Sequence, residues 1–84
     1  MEHDPSDALQ KKFGHLDENL RRQIYGVAIT AFQKTKDIKA HPWDKNVSET
    51  MIEEDRTRLI DELGLPVDLV NEAVKFGKQL ASEL

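Results

Sequence analysis

The chain has 84 residues, 38% apolar and 33% charged, which fits one compact domain burying about 60% of its unfolded surface and excludes a second domain. The absence of cysteine excludes disulfides, thiolate metal sites, thiol nucleophiles and redox switching, and leaves stability to a packed core. The net charge of −4 is uneven: residues 1–45 carry eight Lys/Arg against seven Asp/Glu, and residues 46–84 carry four against nine. A second half near −5 disfavours a phosphate backbone as its partner and suits a cationic protein surface, or simply a solvated acidic face.

The opening residues, MEHDPSDALQ, are acidic where a secretory signal needs a basic start and an apolar middle, and no apolar run approaches the roughly 18 residues of a membrane span. A cytoplasmic location follows as the expectation, with residues 1–5 disordered and no membrane partner. Punctuation at Pro5, Gly14, His41-Pro42 and Gly64-Leu65-Pro66 then divides the chain into four expected helices, over 6–15, 17–38, 49–63 and 66–83.

The first can start at Ser6 or Asp7 and gathers Leu9, Phe13 and Leu16 on one face. The second has Asp17 as its N-cap and a broad apolar face, one stripe of Leu20, Ile24, Val27 and Ala31 beside another of Tyr25, Ala28 and Phe32, which makes it the central helix. It should stop between Lys36 and Lys39, because the residue before Pro42 is pushed out of helical geometry. The third starts near Ser48 or Thr50, where Thr50-Met51-Ile52-Glu53 has capping-box spacing, and puts Ile52, Leu59, Ile60 and Leu63 on a common face before Gly64 ends it. The fourth begins at Pro66 and carries the clearest stripe, Leu69, Ala73, Phe76, Leu80 and Leu84, with Val67, Val70 and Val74 in a second stripe alongside. No segment alternates long enough for a strand. The expected fold is therefore all-α, a compact bundle of four helices in a single domain over 1–84, with the second and fourth supplying most of the core.

The connection between the second and third helices, KAHPWDKNVSET, holds the one tryptophan. Trp43 has three available placements. It can close the end of the bundle by pinning a loop against it, with its N–H reaching a carbonyl or water, and this is the favoured one. It can stand exposed as a partner anchor, or stack on a nucleobase within the small basic patch of Lys34, Lys36, Lys39 and Lys45.

Other stretches carry candidate chemistry. RLIDELGLPVDLVNEAVKFGKQL resembles the helix-turn-helix of DNA readers, with Leu59, Leu63, Gly64, Leu65, Val70 and Ala73 where that motif packs its two helices. The resemblance implies a transcriptional regulator whose recognition helix is the fourth. Two features depart from it: Ile60 where a small residue is usual, and Asp68, Asn71 and Glu72 at the end that should meet phosphates. Within it, LGLPVDLVNEAV is similar to the first loop and second helix of ubiquitin-associated domains, whose third helix would have to come from residues 77–84.

Asp44, Asn46, Ser48, Thr50 and Asp55 share the register of a calcium-binding loop, but Glu49 stands where the bend needs glycine and Asp55 where a bidentate glutamate belongs. A free Met1-Glu2-His3 terminus can wrap Cu(II) or Ni(II), as any flexible terminus with histidine third can. His15 and His41 read as helix-end or turn histidines. No glycine-rich phosphate loop, nucleophile with a nearby base or paired metal histidines occur, and neighbouring acids such as Glu53-Glu54 and Asp61-Glu62 diverge around a helix. The expectation is a non-catalytic protein–protein interaction module, a regulator, adaptor or accessory subunit. No metal, cofactor or small-molecule substrate is inferred. Its partner is another protein or a second copy of the chain, through Trp43 and the Val67, Val70 and Val74 stripe. The alternative is DNA binding through the third and fourth helices, although nucleic acid is disfavoured by the charge.

Overall fold

The computed structural model describes residues 5–83 as four α-helices: α1 Pro5–Phe13, α2 Glu18–Ala40, α3 Lys45–Asp61 and α4 Val67–Glu83. A three-residue 3₁₀ turn, Pro42–Asp44, joins α2 to α3. The protein is an all-α bundle of four helices, as the periodicity predicts, with no strand among the described residues. The tail over residues 1–4, with its terminal copper motif, and the last member of the α4 stripe, Leu84, lie outside them.

Each helix starts where local chemistry allows. Asp17 caps α2, its carboxylate Oδ1 accepting the Leu20 N–H at 3.1 Å, so one of the unsatisfied donors of the first turn has a partner. The far end runs to Ala40, two residues beyond expectation, and the His41 N–H still donates to the Asp37 carbonyl at 2.7 Å. At α4, the Pro66 carbonyl accepts the Val70 N–H at 3.1 Å, which makes Pro66 the residue before the helix instead of its first. Gly64 adopts φ 67°, the left-handed region that glycine enters without a Cβ penalty, and the reversal lets the Leu65 N–H reach the Leu59 carbonyl at 3.1 Å.

The core lies between α2 and α4. Ile24, Val27, Ala28 and Ala31 of α2 are buried against Val70, Ala73 and Val74 of α4, with Leu9 and Phe13 of α1 and Ile52 and Leu59 of α3 closing the sides. The Phe13 ring meets the Phe76 ring edge-on, 5.9 Å between centroids, and the Lys12 ammonium lies 5.1 Å from the Phe76 centroid. Ala73, Gly77 and Ala81 repeat every four residues down the buried face of α4, and small side chains in that register let two helix backbones approach closely. At the far end Lys39 of α2 donates to the Ala81 carbonyl at 2.8 Å, placing a cation at the negative end of α4.

The third helix departs most from expectation. Pro42 occupies the first position of the 3₁₀ turn, where its missing N–H costs nothing, Asp44 N–H donates to the His41 carbonyl at 2.9 Å, and Lys45 continues in right-handed helical geometry. The polar loop expected up to residue 48 is therefore helix. Thr50 falls inside α3 and its hydroxyl donates back to the Asn46 carbonyl at 2.7 Å, so the capping box does not form, and Glu53 pairs with Arg56 instead, at 2.7 Å. The calcium-loop register of Asp44 to Asp55 is likewise wound into helix. At the other end Leu63, expected in the core, is exposed in the turn.

Candidate functional site

Apolar residues are spread around α3 instead of gathered on one side. Ile52 and Leu59 point into the core, whereas Val47 and Met51 are 62% and 44% exposed, and Trp43, one turn earlier, is 77% exposed. Steps of four residues advance roughly 40° around a helix, so the three side chains form one gently wound ridge along the outside of the bundle.

The favoured placement of Trp43, closing the end of the bundle, is overturned. The 3₁₀ turn runs straight into α3 and leaves no slack loop to be pinned, and the indole lies in the open with the His41 ring beside it, centroids 5.1 Å apart. The basic patch does not assemble as a stacking platform either: Lys34 pairs with Asp37 at 3.8 Å, Lys36 sits 5.0 Å from the Phe32 ring centroid, and Lys39 caps α4.

The valine stripe of α4 is also corrected. Val67 is 50% exposed, but Val70 and Val74 are buried in the main core. The close contact at Gly77 draws α4 deep against α2, and a helix seated that closely buries both of its neighbouring stripes. Of the residues expected on the docking face, only Trp43 and Val67 stand at the surface. Val47 and Met51 are exposed instead, and their four-residue spacing from Trp43 is the signal in the sequence that could find them.

Beyond Met51 the ridge turns acidic. Glu54, Arg58 and Asp61 continue it at spacings of three, four and three, with Glu62 exposed beside it, whereas Glu49 and Glu53, each two residues from Met51, are exposed on another side of α3. Two of the acids on this helix are held by their own neighbours, Glu53 by Arg56 at 2.7 Å and Asp55 by Arg58 at 2.8 Å. The pKa of Arg58 is raised by the hydrogen bond from its guanidinium to Asp55, then by the charge of Asp55, with Glu62 adding to it and partial desolvation opposing. Among the described residues, Glu49, Glu54 and Asp61 have no cation within ion-pair distance.

A hollow of about 720 Å³ is an open trough between side chains of α3 and its C-cap, running from Asn46 to Glu62. A smaller one is lined by Gln10, Gly14, Arg21 and Tyr25, where Arg21 already donates to the Gly14 and Leu16 carbonyls at 3.3 and 3.4 Å. No cluster of three or more His, Asp or Glu with metal-holding geometry occurs among the described residues.

The start of α4, the recognition end in a helix-turn-helix, exposes Asp68, Asn71 and Glu72, and the latter two are engaged within the fold, Asn71 by Arg56 at 3.1 Å and Glu72 by Lys12 at 2.9 Å. The ubiquitin-associated arrangement needs a helix break in the last stretch, and α4 runs unbroken from Val67 to Glu83. No described helix is long and apolar enough to cross a membrane. In comparisons with known proteins the chain matches no family model, no curated protein and no solved structure.

Proposed function

We propose that the protein is a small non-catalytic protein–protein interaction module, a regulator, adaptor or accessory subunit, whose docking face is the Trp43–Val47–Met51 ridge. The observation that carries this reading is the exposure of three large apolar side chains at successive four-residue spacings, Trp43 in the 3₁₀ turn and Val47 and Met51 on α3. Apolar side chains scattered singly over a surface are ordinary, whereas a contiguous ridge led by tryptophan has the composition of an interface centre. The open trough supports it from the other direction, because it offers no enclosure in which water could be kept from a reacting group.

The test is site-specific photo-crosslinking in the source cells, with benzoylphenylalanine in place of Val47 and, as control, of Gln79, an exposed residue of α4. A discrete protein adduct is expected from position 47 that is absent from position 79 and is lost when Trp43→Ala is added. The same adducts from both positions, or none from position 47, refute the reading.

A further inference from the structure

The charge around the ridge says what kind of surface would cover it. Residues 46–62 contain six acids, Glu49, Glu53, Glu54, Asp55, Asp61 and Glu62, and two cations, Arg56 and Arg58, a balance of −4. The whole chain is also −4, so everything outside this one segment sums to zero. The apolar end of the ridge, Trp43 to Met51, thus leads into an acidic segment, of which Glu54, Asp61 and Glu62 lie along the ridge with Arg58 among them.

We infer that the occupant of this face is a cationic amphipathic helix of a partner protein, an inference that rests on the docking reading above. The apolar face of the incoming helix covers Trp43, Val47 and Met51, and its Lys or Arg residues lie over Glu54, Asp61 and Glu62. From Trp43 to Glu62 the strip is about 28 Å long at 1.5 Å per residue, which a partner helix of roughly 18 residues spans. Helix-on-helix docking reads anchors about one and two turns apart, and the ridge presents Trp43, Val47 and Met51 at successive spacings of four.

Charge decides against the other occupants. A second copy docked in parallel, about a twofold axis running along the ridge, would lay Glu54 and Asp61 against the same acids, a like-charge juxtaposition that opposes that association. An anionic lipid surface or a nucleic-acid backbone meets the same repulsion. A cationic helix relieves it, and Glu54, Asp61 and Glu62, which form no ion pair among the described residues, can pair with it.

The experiment uses the full chain and two fluorescein-labelled 18-residue helical peptides with an identical Leu/Phe face, one carrying Lys at the remaining positions and the other Glu. Binding is followed by anisotropy, and by the emission of Trp43, which is the only tryptophan. The Lys peptide should bind at least about tenfold more tightly than the Glu peptide, shift Trp43 emission to the blue, and weaken as salt rises from about 50 to about 300 mM, as screened charge requires. Its affinity should fall about tenfold in V47S/M51S and again in E54K/D61K, with unchanged circular dichroism in both, since all four side chains are at the surface.

Equal binding of the two peptides, binding of neither, or Lys-peptide binding that ignores V47S/M51S overturns the inference. An adduct at twice the chain mass from position 47 overturns it in favour of a second copy. If the peptides fail while position 47 still crosslinks to another protein, the docking reading stands with a partner of different charge. If both fail, both fall.

Discussion

Adding one methyl group to the chain should have opposite effects at two glycines, and the contrast measures how closely α2 and α4 pack. In a helix interior alanine is favoured over glycine by about 0.8–1 kcal/mol, because glycine loses more backbone freedom on folding. Both Gly26→Ala and Gly77→Ala start with that gain. A Cβ on Gly26 meets nothing within 4 Å and faces solvent, so the gain should appear in full, as a rise in Tm of roughly 4–8 °C for a domain of this size.

A Cβ on Gly77 collides with the Ala28 carbonyl oxygen and lies 3.1 Å from both the Ala28 carbonyl carbon and the Ala31 Cβ. These atoms are backbone or attached directly to it and have no rotamer by which to retreat. The helices must then part by roughly 1 Å to restore ordinary contact distances. Overpacking typically costs about 1–3 kcal/mol, and parting here also loosens the Ala73 and Ala81 contacts in the same row, so the cost belongs at or above the top of that range. Against the propensity gain, the net loss is about 2 kcal/mol, a fall in Tm on the order of 10 °C. Thermal denaturation followed by circular dichroism at 222 nm on the two variants and the parent measures both signs at once. A Gly77→Ala chain melting as high as Gly26→Ala would show that α4 does not rest on the Ala28 backbone, and the burial of Val70 and Val74 would lose its explanation.

Two further outcomes follow from the fold. Trp43 should emit in the folded protein as a water-exposed indole, be quenched freely by acrylamide, and change little on unfolding, because 77% of the residue is already exposed; a blue, quencher-resistant emission from the free chain would contradict the placement of the ridge. Gly64→Ala should cost about 1–2 kcal/mol, the penalty for an L-residue held in left-handed geometry, read as a lower urea midpoint at unchanged slope; no change would mean that the turn does not need its positive φ.

The elements legible in the sequence are those where one strong local rule acts alone. Asp17 is an N-cap both by residue type and in the structure, and Gly64 is the turn glycine of the Gly-Leu-Pro stop. Leu9 with Phe13, and Val27 with Ala31, kept their spacing of four from chain to core. The failures fall where two local rules compete and packing chooses. Thr50 had capping-box spacing, but Pro42 offered an earlier start, and once helix begins at Lys45 the Thr50 hydroxyl has only the Asn46 carbonyl within its own turn to bond. Val70 and Val74 looked like a spare stripe because periodicity reports direction around one helix and says nothing of how near the next one comes; that depended on Gly77, whose role is visible only when Ala28 is opposite it.

The same closeness accounts for where the proposed docking face lies. A small core needs most of the large apolar side chains available, so any stripe left outside marks a face the bundle could not cover. Because the glycine and alanines of the α2–α4 seam admit both stripes of α4, that helix is spent on the interior, and α2, packed by both α3 and α4, is spent with it. Among the described residues, α3 is the helix with two large apolar side chains, Val47 and Met51, exposed away from its buried Ile52 and Leu59. Ile52 and Leu59 anchor the helix by that side and hold Val47 and Met51 outward on a rigid element, with Trp43 one turn ahead of them. A partner meeting this ridge binds a surface already ordered by the core, and so avoids the cost of ordering a loop that a tryptophan on a flexible connection would impose.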